Sequence, residues 1–218
     1  MDSQRRLEEL FSHFPGIGPR QARRFVYYLL SRSPTSIREL VSLIEEVKKS
    51  SHECDMCHRF FVNKNVSSSS HSLVSGKICS VCSDPNRDNS SLMIVARDSD
   101  FESVEKSGAY KGLYFILGGT VPIMDKEPEK RIRLKQLIGR ITVSEESKGL
   151  SEVILSLNTT PDGENTEEIV KRAIESELDM KTGTAPIKVS VLGRGLSTGA
   201  ELEYADQETI KNALKNRH

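Results

Sequence analysis

Residues 14–25 read "FPGIGPRQARRF", from Phe14 to Phe25, and this stretch decides how the N-terminal part folds. Gly16 and Gly18 stand one residue apart, flanked by Phe14 and Ile17, and Pro19 follows at once. Glycine reaches backbone angles closed to other residues and lets another backbone approach closely. Proline suits the first position of a helix, where its missing N–H costs nothing. A helix is therefore expected to start at Pro19, with free amides at its tip that favour an anion. Arg20 and Arg24 lie four apart and share one face of that helix.

Two readings fit this turn. The plain one is a compact helical hairpin with solvated arginines. The sharper one is a helix-hairpin-helix motif, which holds a nucleic-acid backbone without reading its bases. The order apolar-Gly-apolar-Gly-Pro, the arginine face and the surrounding charge favour phosphate binding by Gly16, Gly18, Arg20 and Arg24.

Formal net charge is zero over 218 residues, but the charge is unevenly spread. Residues 1–50 carry nine Lys/Arg against six Asp/Glu, and residues 14–34 contain Arg20, Arg23, Arg24 and Arg32 with no acid. From Glu145 onward the balance reverses, with fourteen acids against nine bases. Local patches decide whether a polyanion docks, so neutrality confines such contact to the N-terminal part rather than excluding it. No apolar run approaches the ~20 residues of a membrane span. The amphipathic start "MDSQRRLEELFSHF" has no signal-peptide core, and a cytoplasmic location is expected.

Working outward, Leu7, Leu10, Phe11 and Phe14 recur at helical spacing before the turn, and Ala22, Phe25, Val26, Leu29 and Leu30 after it. A third helix is expected over 37–49, opened by a capping box of Ser36 and Glu39. Four cysteines then bracket the serine-rich run "VNKNVSSSSHSLVSGK", expected as a flexible loop. Beyond it, "SLMIVA", "GLYFIL", "EVILSL" and "IKVSVL" are apolar runs suited to strands buried on both faces. Helical patterns over 100–107, 128–141 and 166–180 separate them, so a parallel α/β sheet is predicted. A last helix is expected over 207–215.

Cys54, Cys57, Cys79 and Cys82 form two C-x-x-C pairs separated by 21 residues. Two such turns supply a tetrahedral thiolate set with no open position, which suits structural Zn²⁺. A pair of disulfides and a redox dithiol are the rival readings; a cytoplasmic setting weighs against the first and the doubled motif against the second. His52, His58 and His71 lie nearby and read as surface histidines.

Metal-dependent phosphoryl transfer would need carboxylates converging at the strand ends. Ala96 stands at the tip of the first strand and Asn158 and Thr160 beyond the third, while Asp98, Asp100, Asp162 and Glu164 fall in the loops as candidate caps. No catalytic residue is assigned.

The order of parts resembles the RecR family of bacterial recombination mediators. The likeness runs through "FPGIGPRQARR", the four cysteines with "SDPNRD", "GLYFILGG", "EVILSLNTTPDGENT" and "LGRGLSTGAELEYADQETIKNAL". It implies a multidomain α plus α/β chain: a helix-hairpin-helix domain over 1–52, a four-cysteine zinc finger with its insertion over 53–90, a Toprim-like domain over 91–194 and a C-terminal helical segment over 195–218. It further implies a non-enzymatic, ring-forming clamp, a homotetramer that acts with RecO or RecF. Such a protein binds gapped DNA or single-strand/double-strand junctions and helps RecA replace single-strand-binding protein. Arg20 and Arg24 match the family's DNA-contact positions, and Glu164 in "DGENT" its RecO-contact glutamate. The alternatives are a Toprim-type nuclease or primase, and a protein-interaction adaptor without DNA contact.

The chain also departs from the family's pattern. Ala96 replaces a usual Glu, Asp98 a usual Pro and Ser197 another Pro. The interval between cysteine pairs is long, and "TVPIMDKEPEK" lacks the usual glycine-containing loop.

Overall fold

The computed structural model describes residues 2–62, 77–179, 187–196, 198–199 and 201–216. The serine-rich insert apart from Val62 and Lys77, together with His71 and Ser197, lies outside the described residues. The chain divides into two compact units, Met1–Ser51 and His52–His218.

The first unit is helical: α1 (Ser3–Ser12), α2 (Pro19–Leu30) and α3 (Pro34–Ser50). Asp2 caps α1 by accepting the Gln4 amide at 3.3 Å. Ala22 and Val26 of α2 form the buried centre, beside half-buried Leu7 and Phe11 of α1. Phe11 meets Phe14 and Phe25 edge-on, with ring centroids 5.6 and 5.9 Å apart, which fixes the turn between the helices. The third helix starts earlier than its periodicity suggests. Ser33, not Ser36, is the cap: its hydroxyl accepts the Ser36 amide at 3.2 Å, and Pro34 occupies the first turn. Proline's fixed φ sets the helix start directly after Ser33 and displaces the expected Ser36–Glu39 box. No residue of α3 is buried; Leu40, Val41, Leu43, Ile44 and Val47 are all exposed.

The second unit opens with a two-stranded sheet of β1 (Ser51–Glu53) and β2 (Phe60–Val62), which carries the first cysteine pair between its strands. There follow β3 (Asp88–Val95), α4 (Asp98–Ser107), β4 (Gly112–Ile116), α5 (Leu134–Lys148), β5 (Glu152–Ser156), α6 (Pro161–Asp179) and β6 (Lys188–Val191). The strands form one parallel sheet in the order β4-β3-β5-β6, as the alternation of strand and helix patterns predicts. Two short 3₁₀ turns, Pro128–Lys130 and Leu202–Tyr204, and α7 (Gln207–Lys215) complete the chain. The pattern over 128–141 thus splits into a 3₁₀ turn and an α-helix, because residues 131–133 return to β4: the Arg133 amide donates to the Leu117 carbonyl at 2.9 Å.

Strand alternation sorts the core into two layers. Leu92, Ile94, Leu113, Phe115, Val153 and Leu155 point to one face, against Leu137 and Ile141 of α5 and Val170 and Ile174 of α6. Met93, Val95, Tyr114 and Ile116 point to the other, where Phe101 of α4 packs together with Cys54, Cys57 and Cys79. The cysteine knuckle therefore takes the place that a helix usually occupies over a parallel sheet.

Candidate nucleic-acid interface and metal centre

At the helical turn only one of the two glycines uses its freedom. Gly16 adopts φ +76°, in the left-handed region, whereas Gly18 has φ −85° and acts as the N-cap of α2. Open space surrounds the position a Cβ would take at Gly18. As a glycine it offers no side-chain cap, so the first-turn amides of α2 meet no side-chain acceptor. The Ala22 amide already donates to the Gly18 carbonyl at 3.0 Å, which leaves the tip itself facing outward.

The four arginines of this stretch divide into two pairs. Arg23 reaches Glu8 of α1 at 3.5 Å, and Arg32 stacks over the Tyr28 ring at 4.0 Å. Arg20 and Arg24 are exposed and have no ion-pair or ring partner among the described residues. The two residues singled out in the sequence are thus the two whose cationic groups remain uncommitted. Unpaired guanidiniums beside uncapped helix amides can take a phosphate.

The four cysteine sulfurs lie within 4.8 Å of one another, and three of the residues are buried. Cys57 Sγ and Cys79 Sγ are 3.6 Å apart, far beyond the ~2.05 Å of a disulfide, and all four thiols are unpaired. The knuckle holds this shape through its own backbone. The Cys54 amide donates to the Arg59 carbonyl and the His58 amide to the Cys54 carbonyl, each at 2.9 Å, with His58 at φ +62°. Asp55 ties the two cysteine pairs together, its amide donating to the Lys77 carbonyl at 2.9 Å and its carboxylate accepting the Lys77 amide at 2.7 Å. A hydrogen bond from Cys57 lowers the Cys54 thiol while raising the Cys57 thiol in turn. Four thiolates this close coexist only around a cation, so the cluster can hold a metal ion. Among the described residues neither nearby histidine joins it: His58 Nδ1 pairs with Glu53 at 2.8 Å, and the His52 ring lies edge-on to Phe61.

The acids expected in loops, Asp98, Asp100, Asp162 and Glu164, fall instead in the first turns of α4 and α6, where Asp98 and Asp100 accept backbone amides and Glu164 forms an ion pair. Asp98 accepts the Phe60 amide at 2.8 Å, anchoring β2, and Asp100 accepts the Arg97 amide at 2.9 Å at the start of α4. Thr160 caps α6, its hydroxyl accepting the Gly163 amide at 3.2 Å. Within the DGENT segment, Asn165 Nδ2 donates to the Val121 carbonyl at 3.0 Å, and the Thr166 hydroxyl accepts the Val121 amide at 2.8 Å. Glu164 turns outward and pairs with Arg194 at 2.7 Å, with Glu167 3.7 Å from the same guanidinium. Ala96 is fully buried, and its carbonyl accepts the Gly118 amide at 3.0 Å.

Sequence reading missed three arginines. Arg87, in the segment after the second cysteine pair, binds Glu105 of α4 and the Gly112 carbonyl. Arg133 donates to the Ile116 carbonyl at 3.2 Å and contacts Glu53 at 3.2 Å. Arg194 clasps Glu164, while its carbonyl accepts Asn216 Nδ2 at 2.7 Å. Their partners are distant in sequence, so periodicity and spacing carry no signal for them.

A helical hairpin with a glycine turn, a tetrathiolate knuckle and a parallel α/β unit, in that order, define a class of three-part proteins. Family profiles match its pieces: the RecR helix-hairpin-helix over 5–48, the Toprim domain over 90–193 and the RecR C-terminal segment over 195–218. The chain is 32% identical over 211 residues to a Lactobacillus acidophilus protein named Recombination protein RecR, covering 97% of this chain and 94% of that one. It is 35% identical over 212 residues to the protein of the same name from Bifidobacterium adolescentis, and 33% over 212 to that of Lactococcus lactis subsp. cremoris, with the same coverage. The chain belongs to the RecR family of recombination proteins.

Proposed function

We propose that the protein is a non-catalytic mediator of recombinational DNA repair. It encircles or grips DNA at gaps and single-strand/double-strand junctions and, with RecO or RecF, promotes RecA loading. The observation that carries this reading is the division among the N-terminal arginines. Arg23 and Arg32 have intramolecular partners, whereas Arg20 and Arg24 stand uncommitted beside the uncapped start of α2. Backbone amides from the Gly16–Gly18 turn assist, and the grip is sequence-independent.

The domain limits 1–52, 53–90, 91–194 and 195–218 are the working division of labour. Zinc is the metal proposed for the four cysteines. A tetrahedron with ~2.3 Å Zn–S bonds has edges of about 3.8 Å, close to the 3.6 Å between Cys57 Sγ and Cys79 Sγ. With every position filled by sulfur, the ion would stabilise rather than catalyse.

The exposed apolar side of α3 supports self-association into a tetrameric ring. One weak basic patch gives salt-sensitive binding, and several patches in one ring add avidity. Glu164 is proposed as the contact for RecO. The engagement of Asp98 and Asp100 in backbone hydrogen bonds fits a Toprim fold used for structure rather than metal catalysis. Among the described residues no helix is long and apolar enough to cross a membrane, and the cytoplasm is the proposed site of action.

The test is RecA filament assembly on single strands coated with single-strand-binding protein, with RecO present. The wild-type chain should accelerate assembly and Arg20→Ala/Arg24→Ala should not. Mg²⁺-dependent nicking by the wild type that disappears in Asp98→Ala or Asp100→Ala would instead make it an enzyme.

A further inference from the structure

Beyond β4 the chain turns at Gly118 and Gly119, runs to Arg133 and enters α5, and this run encloses a cleft of about 730 Å³ at the carboxyl end of the strand. Open parallel sheets bind ligands at that end. The cleft has the volume of a small-ligand site, ~300–1,000 Å³, but its lining is of another kind. Among the residues whose side chains are described, Lys126, Lys130, Arg131, Arg133 and Lys135 stand around it with one acid, Glu127, and no aromatic side chain.

These cations are built into place. Arg133 lies across Gly118 and is fixed by the Ile116 carbonyl at 3.2 Å and Glu53 at 3.2 Å. Gly118 sits at φ +94°, and a Cβ there would come within 2.7 Å of Arg133 Nη1, so the glycine is what leaves the guanidinium its position. Asp125 organises the opposite wall. It accepts the Glu127 amide at 2.9 Å and Arg131 Nε at 2.7 Å, and both bonds hold its carboxyl below the ordinary range. Lys130 Nζ meets Glu127 at 2.6 Å. Lys126 has no ion-pair partner among the described residues. A guanidinium carries more N–H donors than these pairs consume, so Arg131 and Arg133 keep donors for a further acceptor.

We propose that this cleft is a second phosphate-binding site, one that takes the phosphodiester backbone of a nucleic-acid strand. Separate cations spread around a wide polar wall suit successive phosphates. The lack of an aromatic platform means that the strand is held by its backbone and not by stacked bases. The inference rests on the nucleic-acid reading given above and adds a contact in the other compact unit of the chain.

The test uses the full chain and a fluorescent oligothymidylate across a salt series, comparing wild type, Lys126→Ala/Lys130→Ala and Arg20→Ala/Arg24→Ala. Both lysines are exposed, and unchanged circular dichroism and melting establish that the variant folds. At ~0.7 per phosphate contact on a single strand, losing two contacts should lower the slope of log K against log salt by about 1.4 and weaken binding about tenfold. An effect of the lysine pair without one of the arginine pair would leave the cleft standing and remove the helix-hairpin-helix grip. An effect of the arginine pair alone would overturn the cleft and leave the functional reading intact. No binding by wild type would overturn both. Displacement of the oligonucleotide by a polyglutamate peptide at equal charge concentration would replace phosphodiester by an acidic protein segment, and the proposal would fall.

Discussion

The Ile116 amide, at the end of β4, donates to the Cys57 carbonyl across 2.9 Å. The metal knuckle is thereby hydrogen-bonded to the central sheet, and its cysteines share a core with Met93, Val95, Tyr114 and Ile116. Loss of the metal should therefore reach the sheet and not the knuckle alone.

Chelation of the metal, or Cys57→Ser, is expected to lower the melting temperature of the second unit by about 10 °C, the equivalent of about 3–4 kcal/mol in a unit of this size. Added Zn²⁺ should restore the chelated wild type and leave the variant low. Differential scanning calorimetry with metal analysis reads both effects. A melt unaffected by chelation would uncouple the knuckle from the sheet.

The two glycines of the N-terminal turn should fail in different ways. Gly16→Ala forces a side chain into the left-handed region and is expected to cost about 1–2 kcal/mol of stability. Gly18→Ala has an ordinary φ and open space around it, so the fold should be kept. Its added methyl group should instead weaken DNA binding by standing where the nucleic-acid backbone approaches. Thermal melts and binding titrations on both variants separate the effects, and equal behaviour would defeat the distinction.

Acid should attack the second unit through Glu105. Its hydrogen bond from Arg87 holds the carboxyl below the ordinary value of 4.5. A carboxyl depressed in the folded state contributes stability that is fully present above its unfolded value and is lost as pH falls through the folded one. Glu105→Gln should lose about 1–2 kcal/mol at neutral pH and show a flatter decline below pH 4.5 than wild type. Urea midpoints on either side of that value measure it, and parallel declines would remove Glu105 from the account.

Glu164 is already paired, so a partner that uses it must compete with Arg194. Arg194→Ala is expected to free the carboxylate and tighten RecO binding several-fold, whereas Glu164→Gln should weaken it by about tenfold, the loss of a charge-assisted contact. Calorimetric titration with RecO decides, and weaker binding by Arg194→Ala would make the arginine itself part of the contact.

Much of this architecture was legible in the chain. The β-type apolar runs identified all four strands of the sheet, but only Leu92–Val95 and Leu113–Ile116 are buried on both faces as expected; β5 alternates buried and half-buried residues, and β6, at the sheet edge, has none buried. The cysteine spacing revealed the cluster, since each C-x-x-C folds back on itself locally. Ser33 was missed as a cap because Ser36–Glu39 carries the commoner pattern, and only the position of Pro34 decides between them. The single positive φ at Gly16, where two glycines look alike in sequence, depends on the closure of α1 on α2 through Phe11. The basic cleft was illegible for a different reason: Arg133 acquires its role from Gly118 and Glu53, one 15 residues and the other 80 residues away in the numbering.

The most direct measurement is binding of a fluorescent gapped duplex across a salt series by wild type and Arg20→Ala/Arg24→Ala. The account predicts wild-type affinity that falls steeply with salt, and a variant that binds at least ~tenfold more weakly with a slope lower by about 1.8, at ~0.9 per phosphate contact on a duplex. Equal binding and equal slopes for the two proteins would contradict the phosphate grip at the N-terminal hairpin.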